Sequence, residues 1–192
     1  MNNSARESIL GSIRTHLAAS PPVDNYPVNP ANPVILSKTD PVNQFKESVE
    51  AVSGHCIITT NATNVLDQIL ADLNAKRIAY SDNPPNAHDI FHFDVGVSTA
   101  QAAIAETGTL VLDSSCERHR LVSLVPPVHI AIVNASAIVE TLDDALALLQ
   151  QKEISSAITF ITGPSRTADI ELTLAIGVHG PQELYVIVDG SK

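Results

Sequence analysis

The stretch HCIITTNATNVLDQILADLNAKRIAY, residues 55–80, decides the fold class. Its opening, His55 to Thr60, is a short and nearly continuous apolar run rich in β-branched residues. That is the composition of a strand buried on both faces. Val65, Ile69 and Leu73 then recur at helical spacing, and Arg77 to Tyr80 follows as another short strand. Downstream, strand-like runs stand at Phe91 to Val97, Thr109 to Leu112, Val128 to Val133, Ile158 to Ile161 and Leu184 to Val188. Between them, Ala100 to Ala105 reads as a short helix that Ser98 or Thr99 would cap. Leu142 to Leu149 reads as a longer helix with Leu142, Leu146 and Leu149 on one side. Strands alternating with helices predict an α/β domain, with a mostly parallel sheet and helices on both faces.

Upstream, Asp40 followed by Pro41 is a good helix opening, since Asp caps and proline suits the first helical position. Phe45, Val49 and Val52 give that helix its apolar face. Before it, Pro21, Pro22, Pro27, Pro30 and Pro33 mark an extended connection. Residues 4–18 form an amphipathic helix carrying Ile9, Leu10, Ile13 and Leu17, with Ser4 as its cap. Residues 1–33 are therefore read as a helical arm and linker, and 34–192 as the domain. The arm's apolar stripe is expected to pack on its own domain or on a partner subunit.

Composition narrows the function. Apolar residues make up 44% of the 192 and charged residues 17%, as in a globular chain. The formal charge of -10 argues against a nucleic acid partner, because such a chain repels a phosphate backbone. No apolar run approaches the length of a membrane span, so the chain is expected in the cytosol. Its two cysteines, Cys56 and Cys116, lie far apart. They lack the spacing of zinc or iron–sulfur ligands, so no metal site or cofactor is expected on this chain. Cys56, inside an apolar run, is expected to be a buried core thiol.

Three segments carry side chains fit for chemistry. The first is Glu106-Thr107-Gly108-Thr109, which offers a carboxylate, hydroxyls and a permissive glycine. The plain alternative is an ordinary turn with a surface glutamate. The second runs from Cys116 through Arg118, His119 and Arg120 to Pro126, Pro127 and His129. Arginines clustered in an acidic chain suit a carboxylate or another small anion. The alternative is a solvated turn, with His129 a satisfied residue at the strand start. The third is the densest: Thr162-Gly163-Pro164-Ser165-Arg166-Thr167-Ala168-Asp169-Ile170-Glu171, then Gly177-Val178-His179-Gly180-Pro181. A helix starting near Ser165 would present N–H groups to an anion, with Arg166 and Asp169 on one face. The alternative is an Arg166–Asp169 pair that only holds the loop. The expected meeting place for the three is the C-terminal ends of the strands. There is no dinucleotide fingerprint, Walker sequence or zinc-protease motif.

Taken together, Ala103-Ile-Ala-Glu-Thr-Gly-Thr109, Arg120 with Ser123-Leu-Val-Pro126, His129-Ile130, Gly163 to Glu171 and Gly177 to Pro181 resemble the lactate-utilisation protein C family, or LUD domain. The resemblance implies a fold similar to the CoA-transferase and ribose-5-phosphate isomerase superfamily. It also implies oxidation of L-lactate to pyruvate together with iron–sulfur partner subunits, which would carry the clusters. On the chemistry of the three segments, Glu106 and His179 are the expected catalytic residues. Thr107, Gly108, Arg120, Ser165, Arg166 and Asp169 are expected to bind a small carboxylate or phosphate. A second reading follows from a fainter resemblance of Ala105-Glu106-Thr107-Gly108 to the nucleophile segment of CoA transferases. There Glu106 would attack a thioester and the Gly108 N–H would stabilise the oxyanion. A third reading is a non-catalytic assembly module.

Overall fold

The structure is a computed structural model, and it describes residues 3–19, 40–115, 120–150, 155–167, 175–177 and 179–191. The chain divides into two compact units, Met1–Lys38 and Thr39–Lys192. The first contains helix α1 (Asn3–Ala19), on which Ile9 and Ile13 are exposed.

The second unit opens with α2 (Pro41–Ala51), whose N-cap Asp40 accepts from the Val42 N–H. Phe45 and Val49 on its inner face are fully buried. Then come β1 (His55–Thr59), α3 (Ala62–Asp72), β2 (Ile78–Tyr80), β3 (Val95–Ala100), β4 (Ala102–Ile104), β5 (Thr109–Asp113), β6 (Val128–Asn134) and β7 (Ile138–Val139). The chain ends with α4 (Leu142–Gln150), β8 (Ile158–Thr162), β9 (Arg166–Thr167), β10 (Ala175–Ile176) and β11 (Glu183–Asp189).

Five strands form one sheet in the order β1-β11-β6-β3-β2, and every neighbouring pair is parallel. Alternation along these strands sends Ile57, Val95, Val97, Ile130 and Ile187 to one face, where Leu66, Ile69 and Leu70 of α3 cover them. Cys56, Ala100, Ala131, Val133, Leu184, Val186 and Val188 point to the other face. There they meet Phe45 and Val49 of α2, together with Ala103, Leu110 and Ile138 of a second sheet. That sheet has the order β7-β4-β5-β8, with β4–β5 and β5–β8 antiparallel. Its far side takes α4 through Ala145 and Leu149, packed near Ala102, Ile104 and Val111. The helices expected on both faces of a parallel sheet are present. The second sheet is an addition that periodicity did not reveal.

Three local expectations change. Ala102–Ile104 is a strand and not a helix, because β5 and β7 pair with it on both sides and its three residues are buried. Ladder bonds and burial override the helix preference of alanine. Ile90–His92 is a 3-10 turn, so the strand expected from Phe91 starts only at Val95. On α4 the buried position is Ala145, while Leu142 and Leu146 stay exposed.

Candidate functional site

α2 organises the site. Its last turns lie against the turn before β5, where the Ser48 hydroxyl donates to the Ala105 carbonyl at 2.7 Å. Gly108 sits there with φ +65, and a Cβ on it would fall 2.6 Å from the Val49 nitrogen. Only glycine lets helix backbone and turn approach so closely. One turn further along α2, Gly163 rests on Val52, and the Arg166 guanidinium donates to the Val52 carbonyl at the helix end. A cation on terminal carbonyls satisfies them and complements the helix dipole.

The first and third segments thus share one helix, and hydroxyls join them directly. Thr107 Oγ1 lies 2.7 Å from Thr109 Oγ1, which in turn lies 2.7 Å from Thr162 Oγ1. Thr109 is buried, whereas Thr107 and Thr162 are exposed, so the ladder runs from solvent to solvent across a buried centre. Strand register fixes it, since Thr109 faces Thr162 across β5 and β8.

The expected Glu106 carboxylate accepts from the Leu142 N–H at 3.0 Å, at the start of α4. The Gly108 N–H, the oxyanion donor of the CoA-transferase reading, is already engaged by the Ile104 carbonyl at 3.0 Å. Ser165 is held through its backbone: its N–H donates to Pro181 and its carbonyl accepts from Gly177. No helix starts there, because Arg166 and Thr167 form β9, paired with β10. The Pro127 carbonyl accepts from the N–H groups of Gln182 and Glu183, which ties the end of the second segment to the third. These tie-points immediately precede β6 and β11. This part of the cluster therefore lies at the N-terminal ends of the parallel strands, not at the expected C-terminal ends. Arg120 heads a 3-10 turn and is exposed, as is His179. Asp169, Cys116, Arg118, His119 and Glu171 lie outside the described residues. A separate surface cleft of about 240 Å³ is lined by Arg77, Asp89, His92 and Phe93, none of which belongs to the three segments.

Ser98 and His129, each named in the sequence for another role, form a pair that the sequence did not reveal; Ser98 lies within β3 and caps no helix. Both are buried, and Ser98 Oγ lies 2.7 Å from His129 Nε2 across neighbouring strands. His129 Nδ1 has no partner among the described residues. Burial lowers the imidazole pKa to about 4, so the ring is neutral at physiological pH. Polar residues at inward positions of apolar strands were the available signal. Cys56 is a free, buried thiol, and its pKa is raised to about 11 by desolvation. Such a thiol is a poor nucleophile and a poor metal ligand.

The parallel five-stranded sheet, helix-covered and backed by a second sheet, defines the class as an α/β domain. A crystal structure of a DUF162 family protein from Deinococcus radiodurans has the same fold. Its TM-score is 0.60 at 22% identity, over 81% of this chain and 99% of that one. The family model described as the LUD domain matches residues 68–188, a span holding all three segments, and the chain belongs to that family. It is 36% identical to an uncharacterized protein of Neisseria meningitidis serogroup B, over 79% of this chain and 68% of that protein. Over half of its length it is also similar to two proteins called Lactate utilization protein C. The identity is 44% for the one from Bacillus licheniformis and 43% for the one from Bacillus subtilis. The chain spans only 42% of each of these two relatives.

Proposed function

We propose that this chain serves lactate utilisation, as a LUD-domain component of a system that oxidises L-lactate to pyruvate with iron–sulfur partner proteins. One observation carries the reading: identity of 44% and 43% to proteins called Lactate utilization protein C. The oxidation turns a hydroxyl into a ketone and releases electrons that a redox group must accept. The partners would supply that group as their clusters. Cys56, the cysteine among the described residues, is buried and desolvated. On this reading the chain's own contribution is to hold the small carboxylate. Arg166 is exposed and has one described hydrogen bond, to Val52, while a guanidinium carries five donors. Donors therefore remain for a carboxylate.

A non-catalytic assembly role is the second reading. The anchoring of Glu106 and Arg166 to backbone groups favours it. Two measurements separate the readings. In a reconstituted mixture of this chain, the iron–sulfur partners, L-lactate and an electron acceptor, leaving out this chain should abolish pyruvate formation. Undiminished pyruvate without it would sink both readings. Calorimetry of the isolated chain with lactate, pyruvate and phosphate then tests the site. Arg166→Ala should weaken carboxylate binding by roughly tenfold to a hundredfold, the worth of one charge-assisted contact. Absence of binding to the wild type, with activity still dependent on the chain, would favour assembly.

A further inference from the structure

β8 is an edge strand of the second sheet: it pairs with β5 on one side and with no described strand on the other. Its outward groups can be read from the ladder. The Ser114 N–H donates to the Ala157 carbonyl at 3.1 Å, so that pair is hydrogen-bonded. Alternation makes Leu112–Thr159 and Leu110–Ile161 the other bonded pairs. The Asp113 N–H agrees, because it points away from β8 to Gln101 Oε1 at 2.6 Å. The N–H and C=O groups of Ile158, Phe160 and Thr162 therefore face the edge on which no described strand lies.

Proteins usually guard such an edge with charge, proline or a bulge. Here no charged residue stands between Ser155 and Ser165, in a chain whose formal charge is -10. Phe160, at the middle of the strand, is 42% exposed. The strand Ile-Thr-Phe-Ile-Thr is also complementary to itself. Antiparallel pairing about Phe160 sets Phe160 against its own copy and Ile158 against Thr162. All three outward-facing residues then fall in hydrogen-bonded pairs.

We propose that β8 is a self-association strand, by which two copies of this chain pair edge to edge about a two-fold axis at Phe160. The strongly acidic chain meets its copy along an uncharged segment, where repulsion is least, and the two four-stranded sheets become one. Thr162 belongs both to this edge and to the threonine ladder, so the second copy borders the candidate site.

Sedimentation from low micromolar to submillimolar concentration tests the proposal, with residue-resolved amide exchange. The wild type should dimerise, and the Phe160 amide should gain protection as the dimer forms. Phe160→Lys places two like charges face to face and should weaken dimerisation by about tenfold or more, with unchanged circular dichroism. If that variant does not fold, the wild-type exchange data decide alone. A wild type that stays monomeric throughout, or a dimer whose Phe160 amide exchanges as fast as in the monomer, overturns the proposal.

Discussion

At the residue scale, His129 makes the clearest prediction. The folded ring titrates at about 4 against an ordinary 6.5, because burial disfavours the imidazolium. Above pH 6.5 the ring is neutral in both folded and unfolded chains and contributes no pH dependence. As pH falls from 6.5 towards 4, the unfolded chain takes up the proton first, so stability drops. The full loss is on the order of 3 kcal/mol, since each pKa unit is worth about 1.4 kcal/mol. Urea unfolding at pH 7 and pH 5 should show this decline, and His129→Leu should flatten it. An equally steep decline in the variant would assign the effect to other groups. The depressed carboxylates are separable from it. Asp94, held by the backbone N–H groups of Arg77 and Lys76, and Asp189, held by Ser191, lose their contributions only as pH falls below 3.8. Which residues are chemically suited to a site was legible in the sequence, because Arg, Thr and Gly in dense clusters announce themselves. What they touch was not. Arg166 reaches a helix end distant in sequence, and the Ser98–His129 pair needs strand register to be visible.

At the scale of elements, the start of α4 shows how a site residue can also be structural. Thr141 and Asp144 cap each other's N–H groups, which leaves the Leu142 N–H to the Glu106 carboxylate. Removing that acceptor by Glu106→Ala should lower stability by about 1 kcal/mol, the ordinary worth of a helix cap. Thermal unfolding checks this. A variant that keeps its melting temperature while losing activity would return Glu106 to a catalytic role. Long or strongly apolar elements were legible in place: α2, α3, β1, β6 and β11 fall where periodicity and capping put them. The burial expected for β1 is corrected, because it lies at the end of its sheet with Cys56 buried and His55 and Ile58 exposed. Ala102–Ile104 was not, because a three-residue strand has no period to read and its alanines favour a helix until β5 and β7 flank it. The conditional helix at Ser165 fails for a similar reason: pairing with β10 decides β9.

At the scale of the molecule, the division at Lys38–Thr39 predicts that removing residues 1–38 leaves a cooperatively folding unit. A calorimetric scan should show one transition at a melting temperature close to that of the full chain. A collapse of that transition would make the first unit part of the core. The α/β class was legible because alternating strands and helices leave few arrangements. The second sheet was not, because antiparallel pairing among β4, β5 and β8 joins segments that look alike, whichever sheet they enter.

Strand order in the first sheet also bears on how the protein is made. Among the described strands β1 is the first, yet the neighbour it has in the sheet is β11, the last of them. From the emergence of Thr59 until Glu183 leaves the ribosome, the His55–Thr59 strand has no partner among the described strands of its sheet. β11 then inserts between β1 and β6. The nascent chain must shelter that strand while translation continues, and a transcript cut short before β11 leaves a gap in the sheet. Such products are natural clients for chaperones and proteases.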